Sequence, residues 1–314
     1  MAVPFFGYHL PNYSFPGTAP DGLFDHVADL AGAAERAGFD MVTVMDHFYQ
    51  IRNVGAETEP MMESYTTLAA LSQRTTKVRL SALVTGVTYR NPALLAKMVT
   101  TLDVLSKGRA ILGIGAAWNE DEHAGFGFDF PAIGRRMDRL DEAVHIAKLM
   151  FTEERPTFHG NFFHIDRALN VPRPIQPGGP KVLIGGAGEQ RTLRIVARYA
   201  DISNWFPGVE ETKRKIGILE KYCEEEGRDP ATILKTVMQP CVLALDESHV
   251  RQLKEQMPPG RLAISGDPVL PDQAVEMLQP YLDAGIGGFT FSNPNLSTPE
   301  LLAAAGELKT RLSA

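Results

Sequence analysis

The sequence predicts an α/β protein, a single (β/α)8 TIM barrel that takes up residues 1–314. Short apolar runs rich in β-branched residues alternate with longer segments of helical spacing, a pattern typical of βαβ units and a parallel sheet. Eight such runs occur without an antiparallel pair, which favours a closed barrel over an open doubly wound sheet. The first βα turn, residues 9–13, also lacks the GxGxxG motif of open dinucleotide-binding sheets.

The predicted strands end at polar or small residues. We expect them at about residues 3–9, 40–45, 78–84, 109–115, 181–185, 201–205, 235–245 and 287–292. The helix after the third strand is the clearest, because Pro92 suits a first turn and Gly108 suits a helix end. Between them an apolar stripe, predicted to face the sheet, is formed by Leu94, Leu95, Met98, Leu102 and Leu105.

One stretch interrupts the alternation of strands and helices. Residues 152–180 contain five prolines and no segment of helical period. A loop of this length is often functional, for example as a lid over a site. A surface hairpin followed by coil, without a chemical role, is the alternative that the sequence leaves open.

Composition and charge narrow the function. The net charge of −7 argues against binding to nucleic acid or anionic membranes, since both need basic patches. No apolar run reaches the roughly 18 residues of a membrane helix, and residues 1–7 resemble a strand more than a signal peptide. Cys223 and Cys241 lack a CxxC or histidine neighbour, which favours a reducing compartment. We therefore expect a cytoplasmic protein that acts on a small molecule.

In a barrel of this kind the ligand site lies at the carboxyl ends of the strands. Those ends carry mostly polar residues, small residues and glycine, which suits a planar ligand lying close to the backbone. His47 follows the second strand, so its imidazole is a candidate acid or base at the barrel mouth, although a purely structural histidine remains open. The histidine spacing predicts no metal site, and no GxSxG elbow predicts an acyl-transfer nucleophile.

A glycine-rich turn follows the fifth strand. Its residues Gly185, Gly186, Ala187 and Gly188 precede a helix predicted over 189–199, so free N–H groups there would favour an anion. Arg90 and Arg191 are candidates for additional positive charge. A plain tight turn is the alternative.

Five segments taken together resemble the luciferase-like monooxygenase superfamily: residues 45–48, 84–93, 102–109, 113–120 and 185–186. The resemblance covers about residues 5–295. It is strongest to the branch that uses coenzyme F-420, an 8-hydroxy-5-deazaflavin that carries hydride. Monooxygenases that use FMN share the barrel and most of these motifs.

The resemblance implies where the cofactor ring lies. Asp46 and His47 match positions beside its reactive face, so both are expected to be catalytic and to contact the cofactor, with His47 handling the proton that accompanies hydride transfer. A non-prolyl cis peptide is implied between Ala82 and Leu83, behind the ring, and Ala82, Leu83 and Thr85 are expected to contact the cofactor.

Two further contacts with the cofactor follow from the resemblance. Asn119 matches a residue that hydrogen-bonds the pyrimidine edge of the ring. Gly185 and Gly186 match a turn that contacts phosphate, and we extend this site to Ala187 and Gly188.

The substrate is less defined. F-420-dependent sugar-phosphate dehydrogenases of this fold carry a glutamate where this chain has Ala116, which argues against a sugar phosphate. An apolar pocket is suggested, though not distinguished from core packing, by Phe126, Phe128, Phe158, Phe162, Trp205 and Phe206. The direction of hydride transfer stays open.

Three functions remain at this point. The first is an F-420-dependent oxidoreductase, and the second is a reduced-FMN-dependent monooxygenase with a partner reductase. The third is a non-catalytic barrel that binds the cofactor. The oligomeric state is open as well, a homodimer being common in the resembled family.

Overall fold

The computed structural model describes residues 3–52, 54–206, 208–238, 241–256, 266–292 and 296–313. Its strands are β1 Phe5–Leu10, β2 Met41–Val44, β3 Arg79–Ala82, β4 Thr85–Gly86, β5 Ile111–Gly115, β6 Phe158–His159, β7 His164–Ile165, β8 Lys181–Gly185, β9 Ile202–Trp205, β10 Leu234–Met238, β11 Val242–Leu243, β12 Pro268–Val269 and β13 Gly288–Ser292. Its α-helices are α1 Leu23–Arg36, α2 Ser64–Leu71, α3 Pro92–Leu105, α4 Glu120–Phe126, α5 Ile133–Thr152, α6 Thr192–Tyr199, α7 Val209–Glu225, α8 Glu247–Gln256, α9 Pro271–Asp283 and α10 Pro299–Arg311.

The main sheet is parallel and closes on itself. Its strand order is β3-β2-β1-β13-β10-β9-β8-β5-β4. A parallel bridge joins Leu80 of β3 to Ala110, and the Leu80 N–H donates to the Arg109 carbonyl at 2.9 Å. Since β3 and β4 are successive parts of one wall, eight strand positions surround the axis, and the predicted (β/α)8 barrel is confirmed. The assignment of residues 1–314 to one domain stays a prediction.

Two predicted strands are shorter than expected. The strand predicted over 78–84 is interrupted at Leu83 and Val84, between β3 and β4. The strand predicted over 235–245 ends at Met238 in β10, residues 239–240 lie outside the described part of the chain, and β11 pairs with β12 in a small separate sheet. A continuous apolar run does not show where a strand stops pairing with its neighbour in the sheet. The predicted ends of both strands were wrong for this reason.

The excursion over 152–180 is a hairpin followed by coil, as the second interpretation expected. β6 and β7 pair antiparallel. The coil is tied to the amino-terminal end of the barrel, because the Gln176 amide donates to the Ala110 carbonyl at 2.7 Å and to the Asp103 carboxylate at 2.7 Å. It therefore lies away from the carboxyl ends of the strands, and the lid interpretation is not supported.

The α3 helix shows how the sequence specifies a helix here. The Asn91 side chain accepts from the Ala93 N–H at 2.9 Å, Pro92 occupies the first turn, and Gly108 adopts a φ of +87° after the last turn. Leu95, Val99 and Leu102 are buried against the barrel, whereas Leu94 and Leu105 are exposed. The predicted stripe was therefore too wide. The buried face is the narrower one formed by Leu95, Val99 and Leu102, which are spaced by four and three residues.

Two apolar clusters fill the molecule. The larger one lies between the helices and the outside of the sheet. The smaller one is formed by Met41, Ile111, Leu183 and Ile202 on four neighbouring or facing strands, with Leu83 and Val84 packed against it. This inner cluster supports the floor of the barrel mouth. None of the described helices combines the length and apolar character needed to span a membrane.

Candidate active site

A cavity of about 1640 Å³ opens at the carboxyl ends of the barrel strands. Its walls include most of the residues that the sequence singled out: Asp46, His47, Leu83, Ala116, Gly185, Gly186, Ala187 and Gly188. Three predicted cofactor-contacting residues do not line it: Ala82, Thr85 and Asn119. Ala82 and Thr85 are fully buried in the wall, and the Thr85 hydroxyl lies 2.7 Å from the Tyr65 hydroxyl. The Asn119 carbonyl lies 2.6 Å from His123 Nδ1, so this residue is held at the start of α4.

The non-prolyl cis peptide joins Leu83 and Val84, one residue later than expected. The prediction for Ala82 and Leu83 was wrong because Leu83 still belongs to the strand ladder: its N–H donates to the Val44 carbonyl at 2.8 Å. Leu83 and Val84 both line the cavity. Val84 fits there because Gly115 and Gly185 carry no side chain, and a Cβ on either would lie within 3.0 Å of Val84 Cγ2.

His47 is held by a buried carboxylate from another element. His47 Nδ1 lies 2.5 Å from Oε2 of Glu122, which is fully buried in α4. Glu122 also accepts from the Phe48 N–H at 2.5 Å and from the Tyr89 hydroxyl at 3.1 Å. Burial alone would raise the pKa of Glu122, but the hydrogen bonds and charge of His47 outweigh it and hold the pKa below its usual range.

Asp46, which lines the cavity next to His47, is held by an arginine. Arg90 donates to its two carboxylate oxygens at 2.7 and 2.9 Å, and the Ser64 hydroxyl donates at 2.5 Å. The pair is almost fully buried, and Asp46 keeps the pKa of Arg90 above its usual value although burial alone would lower it. Asp46 therefore does not orient His47; the structure gives that contact to Glu122.

The glycine-rich turn follows β8, which is three strand positions from β2 and His47 in the barrel order. Gly186 has a φ of +106°, which favours glycine, and its N–H donates to the Asn204 carbonyl at 3.0 Å. Helix α6 begins at Thr192 and not at residue 189, because residues 189–191 form a turn first. Within the described residues, the N–H groups of Ala187 and Gly188 have no hydrogen-bond acceptor, so the anion contact is expected from them.

Neither predicted arginine supplies free charge to that turn. Arg90 is neutralised by Asp46 and Glu63. Arg191 pairs with Asp138 and donates to the Gly134 carbonyl. Any anion bound at the turn therefore depends on backbone N–H groups and the Thr192 hydroxyl, which also lines the cavity.

Several site residues were not predicted from the sequence. His9 is the penultimate residue of β1, lines the cavity and places Nδ1 2.9 Å from the Thr43 hydroxyl. Burial, and then the nearby His47, lower the pKa of His9 to about 3, so its ring is neutral at pH 7. Its position at a strand end was a usable signal. The sequence gave no signal that Glu122 belongs to the site, because acidic residues in the first turn of a helix are also typical of a solvated helix start.

The six predicted pocket aromatics lie in three places, two in each. Trp205 and Phe206 line the cavity, as does Trp118, which the sequence did not suggest. Phe126 and Phe128 instead stack on Phe48 outside it, with ring centroids 4.5 and 5.6 Å away. Phe158 and Phe162 lie in a separate small cavity beside α5. Within the described residues no group of three or more His, Cys, Asp or Glu side chains is placed to hold a metal ion.

Known proteins are similar to this chain, some in sequence and others in fold. A protein from Kineococcus radiotolerans named F420-dependent glucose-6-phosphate dehydrogenase is 31% identical, over 85% of this chain and 87% of its own length. A protein of the same name from Intrasporangium calvum is 30% identical, over 88% and 89%. In fold, the chain is similar to an F420-dependent secondary alcohol dehydrogenase solved with an F420-acetone adduct, at a TM-score of 0.78 and 20% identity, covering 98% and 99% of the two chains.

A long-chain alkane monooxygenase is similar in fold as well, at a TM-score of 0.82 and 15% identity, with 99% of this chain and 92% of that chain covered. At these identities the two solved structures establish the fold alone. The family model described as luciferase-like monooxygenase matches residues 5–308. From this match, the full-length relatives and the barrel with its strand-end cavity, we conclude that the chain belongs to the luciferase-like monooxygenase family.

Proposed function

We propose that this protein is an oxidoreductase that transfers hydride between coenzyme F420 and an uncharged organic substrate, with His47 handling the accompanying proton. The observation that carries this proposal is that His47, held by Glu122, lines the same cavity as a glycine-rich turn. The choice of coenzyme is supported by the full-length relatives named as F420-dependent enzymes.

The cavity fits a planar ring with an anionic tail. Leu83 and Val84 present apolar surface at its floor, and Gly115 and Gly185 leave the backbone close to that surface. The N–H groups of Ala187 and Gly188 and the Thr192 hydroxyl would hold the phosphate. The bound deazaflavin would supply the hydride carrier.

The polar side chains around the floor then have separate tasks. His47 donates or accepts a proton at the ring nitrogen that Glu122 does not occupy, Nε2. His9 stays neutral and contributes a hydrogen-bonding group without competing for the proton. Asp46 is neutralised by Arg90, and this ion pair fixes the wall beside His47. Asp46 therefore presents no unpaired carboxylate to the reacting face.

The walls above the floor favour an uncharged, apolar substrate. Trp118 and Phe206 line the cavity and remain 61% and 72% exposed, and Ile133 and Leu245 are exposed cavity residues as well. Covering such side chains with an apolar ligand contributes about 25 cal/mol per Å². A small aromatic or aliphatic carbonyl compound, or the corresponding alcohol, has this chemistry.

A phosphorylated substrate fits the same walls poorly. Among the described lining residues Arg52 is the only lysine or arginine, and its side chain is 89% exposed and paired with Asp121. Asp246 and Glu300 add negative charge to the rim. Ala116 lines the cavity at the position where the resembled sugar-phosphate dehydrogenases carry glutamate. Arginine and lysine side chains are the usual charged partners of a phosphate group, and the described lining offers only this exposed one.

Anaerobic turnover assays test this function. Reduced and oxidised coenzyme F420 would be mixed in turn with aromatic and aliphatic ketones or secondary alcohols, and with glucose 6-phosphate as the charged comparison. We expect an uncharged compound to give kcat/KM at least about tenfold above that of glucose 6-phosphate. Preference for glucose 6-phosphate would overturn the substrate class. Oxygen-dependent product formation with reduced FMN, together with no hydride exchange with F420, would overturn the function.

A further inference from the structure

We propose that Glu122 is a positioning residue for His47: its carboxylate fixes the imidazole tautomer with the proton on Nδ1, so that Nε2 faces the cavity. This inference rests on the proposed function, because it assigns the reacting nitrogen of the same histidine. It assigns no direct contact with substrate to Glu122, which does not line the cavity.

The hydrogen bonds around Glu122 leave one consistent arrangement. Oε1 accepts the Phe48 N–H at 2.5 Å, and Oε2 accepts the Tyr89 hydroxyl at 3.1 Å. The remaining neighbour of Oε2 is His47 Nδ1 at 2.5 Å. An ionised carboxylate only accepts hydrogen bonds, so Nδ1 must be the donor.

The consequence appears on the other side of the ring. With Nδ1 protonated, the neutral imidazole carries its lone pair on Nε2 and can accept a proton from the reacting oxygen. When Nε2 takes up that proton, the buried negative charge of Glu122 lies next to the resulting imidazolium. The same carboxylate thus serves both directions of proton transfer without moving.

Substitution by glutamine separates the two roles of the carboxylate, shape and charge. A glutamine amide has one acceptor oxygen, and the oxygen nearest Phe48 must remain an acceptor for the backbone N–H. Its NH₂ group would then face His47 Nδ1 and donate to it, which moves the ring proton to Nε2. Glu122→Asp keeps the charge and shortens the reach, so it should retain the native tautomer.

The chain offers a matched control at the opposite end of the barrel. Glu35 at the end of α1 accepts from three successive backbone N–H groups, those of Thr76, Lys77 and Val78, at 2.9, 2.6 and 3.0 Å. These residues precede β3 and lie far from the strand carboxyl ends. Glu35→Gln therefore removes a carboxylate that caps backbone groups without touching the site.

The test is ¹⁵N NMR of the imidazole nitrogens in the coenzyme-free protein, with His47→Gln used to identify the His47 signals. We expect the neutral ring of the native protein and of Glu122→Asp and Glu35→Gln to be protonated at Nδ1, and that of Glu122→Gln at Nε2. A native His47 ring protonated at Nε2 would overturn the proposal even if Glu122→Gln does not fold. This readout does not depend on any coenzyme, so it separates a failure here from a failure of the proposed function.

Kinetics supplies the second readout. With F420 and an accepted substrate, Glu122→Gln should lower kcat at least about tenfold, which is part of the 10²- to 10⁴-fold that acid–base catalysis typically contributes. Coenzyme affinity should change less than about threefold. Glu122→Asp should recover part of the loss and Glu35→Gln should match the native protein. Native kcat in a folded Glu122→Gln variant would contradict the positioning role.

Discussion

Arg90 and Asp46 form a bidentate ion pair in the wall of the cavity, with Nη1–Oδ2 and Nη2–Oδ1 distances of 2.7 and 2.9 Å. Their side chains are 10% and 1% exposed. Removing one member of such a pair leaves a buried charge without its partner, which typically costs about 3–5 kcal/mol. The pair is therefore expected to contribute to the stability of the barrel mouth as well as to its shape.

We predict that Arg90→Met lowers the free energy of unfolding by about 3–5 kcal/mol, because Asp46 is left buried and unpaired. Denaturant titration measures this value. Arg52→Met is the control: Arg52 pairs with Asp121 on the surface, and loss of an exposed pair changes stability by no more than about 1 kcal/mol. Equal effects of the two substitutions would show that Arg90 is not needed to hold Asp46.

His47→Ala should reduce turnover by about 10²- to 10⁴-fold and leave the F420 dissociation constant within about threefold of the native value. The reason is that the side chain handles a proton and supplies only a small part of the cavity wall. Steady-state kinetics at saturating coenzyme, with a melting curve alongside, measures both effects. If the variant were less stable but kept near-native turnover per folded molecule, His47 would be a packing residue.

Ala187→Asp should weaken F420 binding at least about tenfold, because it adds a negative charge beside the N–H groups expected to hold the phosphate. Ala187→Asn adds nearly the same volume without the charge, so it should weaken binding much less. Fluorescence titration of the coenzyme compares the two variants. Equal affinities of the Asp and Asn variants would place the phosphate elsewhere.

The stability contributed by Glu122 should depend on pH. Its pKa in the folded protein lies below the usual value, so its contribution is complete above the ordinary glutamate pKa of about 4.3 and is lost as the pH falls through the lower, folded value. The difference in Tm between the native protein and Glu122→Gln should thus be largest near neutral pH and shrink in acid. A difference that grows as the pH falls would mean that burial raises the pKa of this group.

Much of the architecture follows from the sequence. Alternating apolar runs and helical segments predict the barrel, and the barrel in turn predicts that Asp46, His47 and the turn at Gly185 meet at one end. These inferences succeed because hydrophobic periodicity and strand polarity are local properties. The position of a residue relative to a strand end is a local property too, so His9 could also have been predicted as a site residue.

The pairing of charged residues was not predictable in this way. Glu120, Asp121 and Glu122 are equivalent as sequence, three acids in the first turn of α4, yet only Glu122 is buried. Which of them faces His47 depends on how α4 packs across the barrel mouth. The cis peptide was misplaced by one residue for a similar reason, since the hydrogen bond from Leu83 to Val44 is a tertiary contact.

The central claim is that the cavity binds coenzyme F420, and an equilibrium titration of the purified protein with F420 and with FMN tests it most directly. We expect F420 to bind with a dissociation constant at least about tenfold below that of FMN, and Ala187→Asp to bind F420 more weakly than the native protein does. Tighter binding of FMN than of F420 would contradict the account. So would equal binding of the two cofactors together with an Ala187→Asp variant that binds F420 as tightly as the native protein does.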